Sequence, residues 1–244
     1  MSFFSWLGIR SGTWRGTKTK PGRKRRRSRC RLYVEPLEAR DCPSGSYLFV
    51  TDYDKHSVLR YDAATGAFVD EFVPKHSGGL NHPQSLIFSP HDHNLFVGSG
   101  HFEGPGQLKA VLGYDGTTGV FLDNFAQSGH LNSVHAVLFG PDGNLYVGDW
   151  LRYEGAAIQP GRILRFHGTT GAFLDEFVPT GSGGLIHPIS MVFAPGRSGR
   201  LDLYVSNGPG NILRYDGTTG AFLEEFVPRG RGGLDLAAGL SFGT

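Results

Sequence analysis

The stretch Leu59-Arg60-Tyr61-Asp62-Ala63-Ala64-Thr65-Gly66-Ala67-Phe68 decides the fold, because the chain carries it in four versions. It returns from Leu112 to Phe121, from Leu164 to Phe173 and from Leu213 to Phe222. The marker aromatics Tyr61, Tyr114, Phe166 and Tyr215 are 53, 52 and 49 residues apart. A period near 50 residues, filled with short strands, is the pattern of sheets repeated side by side as blades.

Around the quoted stretch each unit reads as four short β runs. In the third unit these are Val134 to Phe139, Leu145 to Gly148, Ile163 to Phe166 and Ala172 to Val178. Asp142-Gly143 and Thr170-Gly171 supply the positive φ values that tight hairpins need. In the outermost run Asp175 and Glu176 place carboxylates along an edge, where charge discourages pairing with a foreign strand. The 37 glycines and 14 prolines among 244 residues fall in such turns, which excludes a helical protein. The expected fold is all-β, a four-bladed β-propeller over residues 45–244.

The two ends of the repeat region are complementary. It opens at Ser46-Tyr47-Leu48-Phe49-Val50, a second strand with no first strand before it. It closes at Ala238-Gly239-Leu240-Ser241-Phe242, a first strand with nothing after it. The expectation is that the C-terminal strand pairs with the N-terminal blade and closes the ring as a monomer. The alternative is an incomplete ring, finished by a second chain or by further blades.

Charge divides the chain at the same boundary. Residues 1–44 hold 12 Lys and Arg against 3 Asp and Glu, a charge of +9. The remaining 12 and 19 give residues 45–244 a charge of −7. The basic extension lacks the periodicity to join a core and reads as disordered, as a targeting segment or as a polyanion-binding arm. Its apolar patch, Phe3, Phe4, Trp6 and Leu7, precedes the basic run from Arg23 to Arg27, the reverse of a secretory signal. Both cysteines, Cys30 and Cys42, lie in it, and no apolar run reaches the roughly 20 residues of a membrane span.

Two resemblances add to this reading. The units resemble NHL-type repeats, as in Asp142-Gly143-Asn144-Leu145-Tyr146-Val147-Gly148-Asp149 followed by Arg162-Ile163-Leu164-Arg165-Phe166, over essentially all of residues 46–243. That family usually has five to seven blades, and it includes binding modules as well as metal-dependent lyases and lactonases. The stretch from Val34 to Ser44, with Leu37-Glu38-Ala39-Arg40, resembles a leader segment of planctomycete surface and secreted proteins. It implies export, to the cell envelope or beyond.

Residues common to every unit serve the blade, so a site is sought where the units differ. The inner loops of the second and third units are long, from Gly100 to Lys109 and from Trp150 to Gly161. They bring His101, Phe102, Glu103, Trp150, Arg152, Tyr153 and Glu154 to one face. Aromatic and Arg side chains on loops of a rigid scaffold suit a protein, peptide or glycan ligand. Two unrelated insertions whose aromatics cover blade edges would look the same. A second candidate is His82, His135 and His187, which would approach the axis from three blades and could hold a divalent metal ion with an open position for water. Asp52 and Asp149, with Ser99 and Asn207 in the same repeat position, are either carboxylate ligands or acceptors for backbone amides. No Ser/His/Asp triad, phosphate loop or Cys-His zinc spacing is present.

The leading expectation is therefore an exported, non-enzymatic propeller that binds a ligand or protein without a cofactor. A metal-dependent lyase or lactonase is the alternative. The acidic repeat region argues against specific nucleic-acid recognition. A fragment beginning at Ser44 is expected to melt at nearly the temperature of the whole chain. A fall of many degrees would show that the extension supports the fold.

Overall fold

A computed structural model describes residues 45–100, 108–127, 129, 131–150, 160–197 and 199–243. All belong to the second of two units into which the chain divides, Cys42–Thr244. The extension, and the expectations placed on it, lie outside the described residues. No helix among them is long and apolar enough to cross a membrane.

The described chain is all β, in four antiparallel sheets that each follow the order of the sequence. The first sheet holds β1 (Tyr47–Asp52), β2 (Ser57–Asp62) and β3 (Phe68–Val73). The second holds β4 (Leu86–Phe88), β5 (Leu95–Ser99), β6 (Ala110–Tyr114) and β7 (Phe121–Ala126). The third holds β8 (Val134–Phe139), β9 (Leu145–Asp149), β10 (Arg162–Phe166) and β11 (Phe173–Val178). The fourth holds β12 (Pro188–Pro195), β13 (Leu201–Asn207), β14 (Asn211–Asp216) and β15 (Phe222–Val227). These are propeller-like blades.

Local chemistry explains the repeated hairpin between the third and fourth strands. Asp62 Oδ1 accepts the N–H groups of Ala64 and Thr65 at 3.1 and 2.7 Å and the Thr65 hydroxyl at 2.7 Å. Gly66 then takes φ +71. Asp115 and Asp216 do the same, and in the third blade His167 Nδ1 accepts from Thr169 and Thr170 at 3.3 Å. The Thr hydroxyl and amide bonds favour the ionised carboxylate, so Asp62 and Asp115 titrate below the ordinary range. The outer-strand acids form cross-strand ion pairs: Asp70 with Arg60, Asp175 with Arg165 and Glu224 with Arg214.

The core is not one cluster but three, each lying between consecutive blades. Val58, Phe72, Val73 and Leu80 meet Leu95, Val97, Leu112 and Tyr114. Phe96, Val111, Ala126 and Leu131 meet Leu145, Val147, Leu164 and Phe166. Tyr146, Ile163, Phe177 and Val178 meet Leu203, Val205, Leu213 and Tyr215. A middle strand is thus covered on both faces, so Leu95-Phe96-Val97 and Leu145-Tyr146-Val147 are apolar without alternation.

Close approach accompanies this packing. A Cβ on Gly119, Gly171 or Gly220 would lie 1.9, 1.7 or 1.8 Å from the carbonyl oxygen of Phe72, Phe125 or Phe177 in the preceding blade. The Thr-Gly turn therefore needs glycine for contact as well as for its positive φ.

The expected ring closure is corrected by the structure. Residues 238–242 form no strand, and among the described residues β1 pairs with β2 alone and the first blade has three strands. The C-terminal stretch lies on the fourth blade instead, where Ser206 Oγ donates to Ala238 O at 2.5 Å and Phe242 meets Tyr204 edge-on at 4.9 Å. The reason is repeat register. Leu234 to Phe242 corresponds to Leu185 to Phe193, which leads into β12, so it docks on the blade before it as β12 docks beside Gly148 of β9.

Gly171→Ala combines a positive φ with overlap against a backbone oxygen, and is expected to cost at least about 1–3 kcal/mol. Gly129→Ala, whose Cβ would meet nothing within 4 Å, is expected to stay within about 0.5 kcal/mol of the parent. Urea unfolding of the two variants checks this, and equal effects would contradict the packing described.

Candidate functional site

In the second, third and fourth blades the position that ends the second strand fixes the chain entering the blade. Asp149, fully buried at the end of β9, accepts the N–H groups of Asn132 and Ser133 at 2.7 and 2.9 Å, Asn132 Nδ2 at 3.1 Å and Arg162 Nε at 3.0 Å. Asn207 Oδ1 accepts from Ile186 and His187 N–H at 3.0 and 2.9 Å. Ser99 Oγ accepts from Asn81 N–H at 3.0 Å. Asp52 instead accepts Lys55 N–H at 3.0 Å. Of the two readings of this position, amide acceptor and metal ligand, the geometry supports the first.

This anchoring carries side chains of two neighbouring blades to one place. Trp150 follows Asp149 directly, His135 lies in β8, and His187 precedes β12 in the next blade. The Trp150 and His187 rings stack, with centroids 3.8 Å apart and planes 17° from parallel. His135 stands edge-on to both, at 5.3 Å from Trp150 and 4.4 Å from His187. His187 Nε2 and His135 Nδ1 are 3.0 Å apart, so the N–H of one ring donates a hydrogen bond to the bare nitrogen of the other. Burial pushes the His187 imidazole down to about 4, because a cation there would lose its hydration. At neutral pH the His187 ring is therefore uncharged, in an aromatic platform at the root of the long loop after β9.

His82 belongs to a different group. Its ring lies 4.5 Å from Tyr53 and 4.4 Å from His56, and the His82 backbone N–H donates to His56 Nδ1 at 3.0 Å. His76 stacks on His56 at 4.5 Å and bonds the Leu80 carbonyl oxygen through Nδ1 at 3.2 Å. His56, His76 and His82 have φ of +58, +59 and +44, a region where side chains other than glycine are strained. Sequence reasoning passed over Tyr53, His56 and His76, although a signal was there. His56 and His76 stand where the fourth blade has Gly210 and Gly230, both at positive φ.

Among the described residues no group of three or more His, Cys, Asp or Glu is arranged to hold a metal ion. The proposed trio of His82, His135 and His187 is divided between two side-chain groups. Of the expected ligand-binding residues, Trp150 sits in the aromatic platform, while His101, Phe102, Glu103, Arg152, Tyr153 and Glu154 lie outside the described residues.

No protein-family model matches the chain, and no curated protein matches it. Among solved structures it is similar to the computationally designed Ika8 protein, at 17% identity and a TM-score of 0.48, over 81% of this chain and 50% of that one. The chain spans half the length of the designed protein.

The His187 shift predicts a pH dependence. The unfolded chain takes up a proton near the ordinary value of 6.5, whereas the folded chain does so only near 4. Between these values the unfolded state binds more protons, so stability falls as pH drops from about 6.5 to about 4 and this contribution is level outside that window. Urea unfolding at pH 7 and pH 5 should show a smaller loss for His187→Phe than for the parent. An equal loss would place the titration elsewhere.

Proposed function

We propose that this chain is a non-enzymatic binding module of NHL-type, propeller-like architecture that takes a glycan or peptide on the face carrying Trp150. The observation that carries the reading is the Trp150–His187–His135 platform, whose rings are held by packing and by the Asp149 and Asn207 anchors rather than by a free loop. An aromatic group set in advance loses little conformational freedom when a sugar ring or an apolar side chain lies on it. His101, Phe102, Glu103, Arg152 and Tyr153, on the two long loops, supply the polar and aromatic partners of the same ligand. The leader-like segment at Val34 to Ser44 supports a place outside the cell or in its envelope.

The test is binding of the full chain to arrays of glycans and peptides, followed by titration of whatever is retained. Trp150→Ala is expected to weaken binding at least about tenfold, equivalent to roughly 1.4 kcal/mol, with part of it kept in Trp150→Phe. Undiminished affinity in Trp150→Ala would remove the platform from the site. Elemental analysis of the purified chain addresses the lyase or lactonase alternative. A stoichiometric divalent ion, lost on replacing His82 and His187 by Ala, would favour that alternative over the binding module.

A further inference from the structure

The two end blades present halves of an interface that the molecule builds three times inside itself. Leu95 and Val97 of β5 are fully buried against the blade before them, as are Leu145 and Val147, and Leu203 and Val205. Their counterparts in β1, Leu48 and Val50, are 55% and 39% exposed. Leu59 and Tyr61 of β2 are partly exposed where Leu112 and Tyr114 are fully buried. At the other end, Phe226 of β15 is 42% exposed, whereas Phe72 and Phe177 at the same repeat position are 4% exposed under the next blade.

Finer contacts are missing in matched pairs. Gly119, Gly171 and Gly220 each crowd a Phe carbonyl of the preceding blade, but a Cβ on Gly66 would meet nothing within 4 Å. The absent carbonyl is that of Phe226. A Cβ on Gly78 or Gly183 would lie 2.1 Å from the ring of Phe121 or Phe222, while one on Gly232 would meet nothing. The absent ring is that of Phe68, 61% exposed. Tyr114 and Tyr215 donate their hydroxyls to the carbonyl oxygens of Ser77 and Ser182 at 2.9 and 2.8 Å. The corresponding pair is Tyr61 and the Arg231 carbonyl. Finally, β5, β9 and β13 each pair with a strand on the edge that β1 leaves open, and the stretch from Ala238 to Phe242 has no strand to pair with.

We propose that these two faces are the binding surface for a second copy of this chain, joined head to tail. The leading face of one copy, with Leu48, Val50, Leu59 and Tyr61, packs on the trailing face of the other, with Phe226 and Val227. The C-terminal stretch of that other copy then adds to β1 as the fourth strand of its blade. Among the described residues of one chain the two faces do not meet, since β1 has no strand partner there but β2. Two copies related by a twofold axis form two such junctions at once, leaving no open face, and the second junction forms intramolecularly. Propellers typically close with roughly four to eight blades, so two copies fit and three do not.

Light scattering on the size-fractionated full chain tests this. The expected mass is twice the 26.5 kDa of the chain, and a monomer, or an assembly larger than two, overturns the proposal with no variant needed. Leu48→Glu and Phe226→Glu each spoil both junctions, so each alone is expected to run as a folded monomer, with folding checked by circular dichroism. Mixed in equal amounts they share one unaltered junction and are expected to return to a complex of one copy of each. If only one substitution dissociates the dimer, or the mixture stays monomeric, the junction is not head to tail.

Discussion

Contact between successive blades is the constraint on which the other features of this protein depend. In each junction an apolar row on the second and third strands of one blade meets the Phe and Val, or Phe and Ala, that end the outer strand of the blade before it. A turn glycine slides under the Phe carbonyl, close enough that no side chain could stand there. Buried aliphatic and aromatic side chains contribute roughly 1.5–3 kcal/mol each. A sheet of three or four short strands, unstable alone, is thus held by its neighbours.

The site inherits its rigidity from that stacking. The second, third and fourth blades each spend one buried polar group, Ser99, Asp149 or Asn207, on the backbone amides of the chain entering the inner strand. Those amides would otherwise be buried without partners. The same bonds set where His187 stands before β12 and where Trp150 follows Asp149, so main-chain geometry brings the two rings within stacking distance. A neutral His187 suits this place, since a buried cation there would lose its hydration.

Much of the fold was legible because the chain is its own alignment. The Leu-x-Tyr-Asp-x-x-Thr-Gly stretch gave the period, the hairpin and the number of units, and the strands fell close to where alternation and turns placed them. Closure was not legible, because Ala238 to Phe242 reads equally well as the missing strand of the first blade or as the entering strand of a following one. What separates the two is that, among the described residues, β1 pairs with β2 alone. At the site, His82 and His187 share a repeat position before a Pro and His135 lies two residues further along, yet only His135 and His187 meet in the structure. The φ of +44 at His82 and its contacts with Tyr53 and His56 depend on a loop whose conformation the residue types do not announce. For Asp149 the residue type left two readings, ligand and amide acceptor. Its burial under two amides and Arg162 favours the second.

If each junction is the same physical contact repeated, one repeat position should carry the same energy wherever it is tested. Leu112, Leu164 and Leu213 occupy such a position, one in each junction, and none is more than 1% exposed. The most direct measurement is urea unfolding of the three single Leu→Ala variants at one protein concentration. The account predicts comparable losses at all three, each in the range of about 2–5 kcal/mol for a buried Leu. A substitution among the three that leaves stability unchanged would contradict it, because that junction would then not hold its blades together.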